Sequence, residues 1–315
     1  MKTSKVLVLV VVIAFAGSSQ AQRLPRQSER VAGTKVSMTP PADFTPSTQF
    51  PGFWLESLGC SIMVTELPGS YAQLSTGFSN ISTLMKRGMS LLHKQPVTVG
   101  GRRALLMNLQ QNAYGREFLK WLLMFGDESE SVMLVATFPK ELEAEFSPKM
   151  KASILTARWE RDKAIVPSEG LRFMVSEKGE LKLSKRVANL LAFTKGGIFP
   201  STHVDDPVFI IGQSFSKIDI DNPEEFAKAR ILQTAQITDV KIEESNKITI
   251  DDLDGYEIVA NAKDKASGRA IMIYQVVLFE RQNYFLMQGL VSSKNRQPNL
   301  ELFKQMAVTF KRTKL

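Results

Sequence analysis

The chain has 315 residues, 43% of them hydrophobic and 23% charged, with 40 Lys and Arg against 32 Asp and Glu. The formal net charge of +8 is scattered among acidic residues and forms no basic stripe with interleaved aromatics, which argues for a solvated surface and against nucleic acid as a partner. A single cysteine, Cys60, excludes an intramolecular disulfide, so stability must come from packed cores.

The first five residues are short and basic, residues 6–16 are densely apolar, and Ser19-Gln20-Ala21 is a small-residue cleavage pattern. Spanning a bilayer takes about 20 apolar residues. This run is shorter and is followed by Gln22, Arg23, Arg26 and Arg30. Residues 1–21 are therefore expected to be a signal peptide, cleaved after Ala21, with retention as an anchor the alternative. Cleavage removes Lys2 and Lys5, leaving +6 on an exported chain, periplasmic or extracellular, that is not an integral membrane protein. Such a surface could favour anionic envelope lipid or polymer. Cys60 follows Ser57-Leu58-Gly59 without the apolar run that lipid attachment needs, and reads as a small buried residue.

Residues 22–34 read as a flexible leader. A short strand over 36–38 ends at Pro40-Pro41, and a proline-punctuated loop holding Phe44 and Phe50 follows. Phe53-Trp54-Leu55 suggests a strand edge, and residues 60–66 a strand stopped by Pro68-Gly69. Ser70 suits a helix N-cap, with Tyr71, Leu74, Phe78, Ile81 and Leu84 on one face and Gly88 as the stop. Strands are expected over 89–99, 104–110, 117–125 and 132–138. The unbroken apolar run 121–125 implies a strand covered on both faces. Ser147-Pro148 reads as the cap and first residue of a helix that packs Met150, Ile154 and Leu155 on the sheet.

A linker is placed at 163–168, near Pro167. Beyond it come a strand at 171–175, a glycine-broken hairpin over 179–200 and a strand over 208–218. Asn222-Pro223-Glu224-Glu225 starts a helix with Phe226, Ala229 and Leu232 inward. Strands over 238–250, 256–262, 271–279 and 284–290 follow. The last helix starts at Pro298 and offers Leu302, Phe303, Met306 and Phe310 for burial. The halves echo one another: Val97-Thr98-Val99 matches Ile248-Thr249-Ile250, and Gly115-Arg116 matches Gly268-Arg269. One unit is used twice. The expected fold is α+β, in two tandem domains over 35–162 and 169–315, each an antiparallel sheet packed by helices.

Three features of the first half carry a family resemblance. They are Pro40-Pro41-Ala42-Asp43-Phe44, the step Thr98-Val99-Gly100-Gly101-Arg102, and the strand pair 118–125 and 132–138. The second half keeps the strand pair and lacks the proline-rich entry. Both halves resemble the Mog1/PsbP-like fold, an α/β/α sandwich. The resemblance implies a non-enzymatic binding or assembly role in the bacterial envelope, with a protein or envelope component as partner. Members elsewhere bind a small GTPase or a photosystem. Its motifs are structural, so no partner-specific residue carries over.

The only histidines are His93 and His203. His203-Val204-Asp205-Asp206 offers metal-ligand types, but a site needs three or four converging ligands, and the segment reads as a turn at Asp206-Pro207. Cys60 with either histidine could form a nucleophile–base pair, although no spacing favours it and no nucleophile elbow is present. Asp251-Asp252 with Asp254 falls at a turn between strands. Its counterpart, Gly100-Gly101-Arg102-Arg103, is basic, which argues for a tolerant surface turn. Glu243-Glu244 is a second carboxylate pair without a partner motif. Gly196-Gly197 is followed by Ile198-Phe199-Pro200, which cannot open the helix a phosphate loop needs. Asn80-Ile81-Ser82 has glycosylation spacing but falls on the apolar helix face.

No catalytic, cofactor-binding or metal-binding residue is therefore assigned, and no cofactor is expected. Phe50-Pro51-Gly52-Phe53-Trp54 is the binding candidate, with Phe53 and Trp54 as partner anchors; the alternative is that these aromatics cap the first core. The 196–206 loop is the other place where the halves differ. Two further readings stand beside a binding protein. One is a soluble carrier holding a lipid or other apolar ligand in a Met- and Phe-rich interior; the other is a hydrolase using Cys60 or His203.

Overall fold

The computed structural model describes residues 27–113, 115–201, 203 and 205–313. The expected signal peptide and its cleavage site lie outside the described residues. In the first half the elements are β1 (Glu29–Arg30), β2 (Val36–Met38), β3 (Thr45–Pro46), β4 (Gly52–Leu55), β5 (Cys60–Pro68), α1 (Tyr71–Phe78), α2 (Ile81–Lys86), β6 (Met89–Val99), β7 (Arg102–Ala113), β8 (Arg116–Gly126), β9 (Glu130–Pro139), α3 (Glu143–Leu155) and β10 (Arg158–Trp159). The second half runs β11 (Phe173–Met174), β12 (Leu181–Val187), β13 (Leu190–Lys195), β14 (Val208–Gln213), α4 (Pro223–Leu232), β15 (Ile237–Ile250), β16 (Leu253–Asp264), β17 (Ala270–Glu280), β18 (Asn283–Ser292), α5 (Arg296–Ala307) and β19 (Lys311–Arg312).

Two seven-stranded antiparallel sheets result, in the orders β3-β4-β5-β9-β8-β7-β6 and β12-β13-β14-β18-β17-β16-β15. The orders correspond strand for strand, and the small sheet β1-β2-β10 corresponds to the pair β11-β19. The likeness reaches single side chains. Glu66 accepts from the Lys35 N–H at 3.2 Å, and Gln213, at the matching place on β14, accepts from the Arg172 N–H at 2.9 Å.

Each sheet is apolar on both faces, as the unbroken strand 121–125 required. From β8, Leu119, Trp121, Leu123 and Phe125 join the core under α3, while Leu122 and Met124 face α1 and α2. From β17, Tyr274, Val276 and Leu278 join the core under α5, while Ile273 and Val277 face α4. Two buried faces demand helices on both sides, which makes each half an α/β/α sandwich.

Helix details depart from the sequence reading in several places, among them the start of α5 at Arg296, two residues before Pro298. The face 71–84 is divided: Ser70 caps α1 by accepting from the Gln73 N–H, and Asn80 caps a separate α2 by accepting from the Thr83 N–H at 3.1 Å. An asparagine side chain that takes a backbone N–H competes with helix continuation, and Ile81 is left in solvent. Pro148 lies inside α3, not at its start. The preceding turn is held to the sheet by buried Phe146 and by Ser147 Oγ, which accepts from Trp121 Nε1 at 3.0 Å. The inward face of α4 is Ala227 and Ile231; Ala229 and Leu232 are exposed. The rotation is set from below, where Gln275 donates to the Ala227 carbonyl at 2.8 Å and Phe226 meets Tyr284 with centroids 5.0 Å apart.

The matched turns Gly100-Gly101 and Asp251-Asp252 both place two residues at positive φ, the geometry of a two-residue hairpin. The acidic version is not free. Asp251 accepts from the Arg312 N–H at 2.9 Å and pairs with Lys311 at 3.2 Å, fastening β19 and offsetting the backbone strain.

The halves meet across a buried polar seam. Arg186 of β12 donates to the carbonyls of Pro167 at 2.9 Å, Glu169 at 2.5 Å and Ala188 at 2.7 Å. Burial pulls its guanidinium down to about 10. Glu169 in turn accepts from the Gly33 N–H at 3.0 Å and is paired with Arg30. Deeper in, Asn189 donates to the carbonyls of Gln49 at 3.2 Å and Gln213 at 2.5 Å, and Gln213 donates to the Thr48 carbonyl at 2.8 Å. Gly33 has φ +71°, and a Cβ there would lie 1.9 Å from Arg186 Nη1. Gly33→Ala is therefore expected to displace Arg186 and cost ~1–3 kcal/mol. In calorimetry the wild type is expected to melt in one transition and the variant in two; a variant that melts like the wild type, at the same temperature, would contradict the clamp.

Candidate binding groove

Helices α1 and α2 cover only part of their sheet face. On the same strands, Ser61 and Met63 of β5, Lys120 of β8, and Val135 and Thr137 of β9 floor a groove of about 270 Å³, walled by Phe50 and Phe215. Phe50 stands edge-on to Trp54, with centroids 6.1 Å apart. Phe215 comes from the other half, is 45% exposed, and lies just past the end of β14. An ion pair between Lys217 and Glu56 at 2.5 Å ties its loop across the seam. The groove is thus assembled by both halves.

The strand period of two separates the anchor candidates. Phe53 pairs with Ile62, points into the first core and is 1% exposed, so it is not a surface anchor. Trp54 pairs with Ser61 on the groove side and is half-buried. Lys120 and Phe215 were not singled out from sequence. Lys120 is the polar interruption just before the apolar run of β8. Phe215 sits in a stretch expected to be strand, but β14 ends at Gln213, which is engaged in the seam.

Lys120 Nζ donates to Thr137 Oγ1 at 2.9 Å and meets no carboxylate within ion-pair distance among the described residues. Burial alone pulls its ammonium down to about 8. The matching position in the second half is Ile273, fully buried in the core beneath α4. An apolar-walled groove with one unpaired, partly desolvated cation favours an apolar group carrying an anion.

The other candidates are not assembled. Cys60 lies in the first core with its thiol pushed up to about 11, chiefly by burial, the opposite of an activated nucleophile. His93 is exposed on β6, four strands from β5 and so roughly 19 Å away at ~4.8 Å per strand. The His203 carbonyl accepts from the Asp206 N–H at 3.1 Å, forming the expected turn. Asp206 binds Ser201 at 3.2 Å, and Asp205 pairs with Arg269 at 3.7 Å. Among the described residues no three His, Cys, Asp or Glu converge as metal ligands. The aromatic interior packs on itself, with Phe209 and Phe303 centroids 5.9 Å apart and Phe285 and Phe310 4.9 Å apart. No helix of the described residues is long and apolar enough to cross a membrane.

No protein-family model and no curated protein matches the chain. Among solved structures, the apo immunity protein TplEi of the T6SS from Pseudomonas aeruginosa is similar at 11% identity and TM-score 0.32, covering 92% of this chain and 98% of that one. LpqN, involved in cell envelope biogenesis of Mycobacterium tuberculosis, is similar at 11% identity and TM-score 0.32 over 45% of this chain and 83% of its own. Cyanobacterial PsbP from Synechocystis sp. PCC 6803 is similar at 12% identity and TM-score 0.29 over 45% and 82%. At these scores the likenesses carry no argument about function. The α+β architecture rests on the strand orders and helix layers above.

Because Lys120 falls from an ordinary 10.5 to about 8 on folding, the unfolded chain binds more protons between those values, and stability rises with pH across that window. Lys120→Met removes the unpaired ammonium. It should raise the melting temperature at pH 7 by at least ~2 °C, with the advantage fading as pH passes from about 8 to 10.5. Equal melting of variant and wild type at pH 7 and pH 10 would remove the claim of a desolvated cation.

Proposed function

We propose that the protein is an exported, non-enzymatic binding protein of the bacterial envelope. Its protein partner seats an apolar side chain and a neighbouring carboxylate in the groove. Trp54, Phe50 and Phe215 receive the apolar part, and Lys120 receives the carboxylate. The observation that carries this reading is Lys120: an unpaired, partly buried cation costs stability, and a partner that pairs it gains a charge-assisted bond in a partly dry site. The groove of about 270 Å³ is at or below the lower end for small-molecule sites, which favours a protein side chain over an engulfed lipid. The domain limits 35–162 and 169–315, joined by 163–168, belong to the same reading; β10 ends at Trp159 and β11 begins at Phe173, while β1 pairs with β2 and extends the first unit ahead of residue 35.

A photo-crosslinking amino acid in place of Phe215, expressed in the native host, tests the seat. One dominant adduct is expected, weakened at least ~10-fold by Lys120→Met or Trp54→Ser. Adducts that are absent, or that persist unchanged in both variants, would refute the groove as the seat.

A further inference from the structure

Residues 67–116 contain no Asp or Glu, yet hold Lys86, Arg87, Lys94, Arg102, Arg103 and Arg116. The matching stretch of the second half, 214–269, contains twelve acidic residues. Both stretches build the same parts: the helical layer on one face, the long edge strand and its neighbour. Since the two halves share a fold, the fold does not require the difference.

In the second half acidic residues outnumber the cations, and several of the cations are paired. Lys228 of α4 pairs with Glu224 at 2.9 Å and Glu225 at 3.1 Å, Lys263 with Asp239 at 3.0 Å, and Arg296 with Glu243 at 2.5 Å. In the first half Lys86, Arg87, Lys94 and Arg103 meet no carboxylate within ion-pair distance among the described residues. Lys86 closes α2, and Arg87 caps it with its guanidinium 5.5 Å over the Phe78 ring. Lys94 pairs with Met107, and Arg103 alternates with Leu105 and Met107, so both lie on the face that carries α1 and α2. Arg102 lies over Trp159, and Arg116 is paired with Glu141; both are engaged elsewhere.

The same surface exposes apolar side chains. Ile81 is 62% exposed and Met85, one turn further along α2, 69%; Leu92, at the bulge in β6, is 51% exposed. Leu84 is the residue of α2 that faces the sheet.

We infer that α2 and the adjoining edge of β6 dock on an anionic lipid surface. Ile81, Met85 and Leu92 enter the headgroup layer, and Lys86, Arg87, Lys94 and Arg103 lie against lipid phosphates. The outer side of a helix is convex, and its apolar side chains project singly. A lipid layer closes around such a shape without needing a matching groove, and clustered cations beside it add attraction to anionic headgroups. This surface is separate from the Lys120 groove, so either assignment can fail alone.

Sedimentation with vesicles decides it, comparing full-length chains that all share the apolar residues 6–16. Vesicles of phosphatidylglycerol with phosphatidylcholine are expected to bind the wild type more tightly than phosphatidylcholine alone, and the difference should vanish at high salt. Lys86→Gln/Arg87→Gln/Lys94→Gln should lose at least ~10-fold in partition to anionic vesicles. Ile81→Ser/Met85→Ser should also weaken it, while Lys228→Gln/Lys241→Gln in the second half should leave it unchanged. Thermal melts identify any variant that is misfolded, and for such a variant the wild-type salt dependence is the deciding readout. Equal binding to both vesicle types, equal loss in the second-half control, or binding to polyglutamate without binding to vesicles would overturn the proposal, the last pointing to an acidic protein instead.

Discussion

A guanidinium without a carboxylate of its own holds the two halves in place. Arg186 is half-buried and satisfied chiefly by backbone carbonyls, two of them at Pro167 and Glu169 in the passage between the halves. Such a group gains little Coulomb energy but becomes costly the moment its acceptors move. Glu169 then binds the Gly33 N–H and Arg30, so the first half, the connection and the second half share one network. The amides of Asn189 and Gln213 extend it to the carbonyls of Thr48 and Gln49, just before the Phe50 loop. Phe215 reaches the face of the first sheet because the seam fixes that approach.

Duplication makes the molecule its own control. Strand orders, helix layers, hairpin turns and the acceptor on β5 or β14 recur, since a sheet with two apolar faces must be covered on both. What differs is polar. Ile273 under α4 corresponds to Lys120 in an open groove. The acid-rich surface around α4 corresponds to an acid-free one around α2. The turn Asp251-Asp252 fastens the C-terminal strand, while Gly100-Gly101 meets the same geometry with glycine's freedom at positive φ. The change of charge at this turn argues in sequence for mere tolerance, yet in the structure the acidic version holds the C-terminal strand.

Much of the candidate surface was present in the sequence without being legible there. The absence of acidic residues from 67–116 can be counted directly, but a whole-chain charge of +8 averages it away. Phe53 and Trp54 read alike as exposed aromatics in sequence, but adjacent strand residues point to opposite faces, and only the register with Ile62 and Ser61 shows which one faces outward. Lys120 looks like an ordinary strand polar residue until the helical layer is seen to stop short of it. The helical stripe Phe226, Ala229 and Leu232 holds only at Phe226, which packs on the core; Ala229 and Leu232 turn outward because the rotation is set by buried Gln275, which carries no apolar signature.

By itself, the sequence determined the elements: apolar runs and alternation set the strands, Ser70 and Asn222 set helix starts, and the repeated glycines and hydrophobic runs set the duplication. Those signals are local, arising from backbone capping and from the burial periodicity of each segment. Only the tertiary structure decided which faces stay open, which half supplies Phe215, and which buried polar groups find partners. These depend on contacts between residues more than a hundred positions apart, such as Asn189 with Gln49 and Arg30 with Glu169, and no local period encodes them.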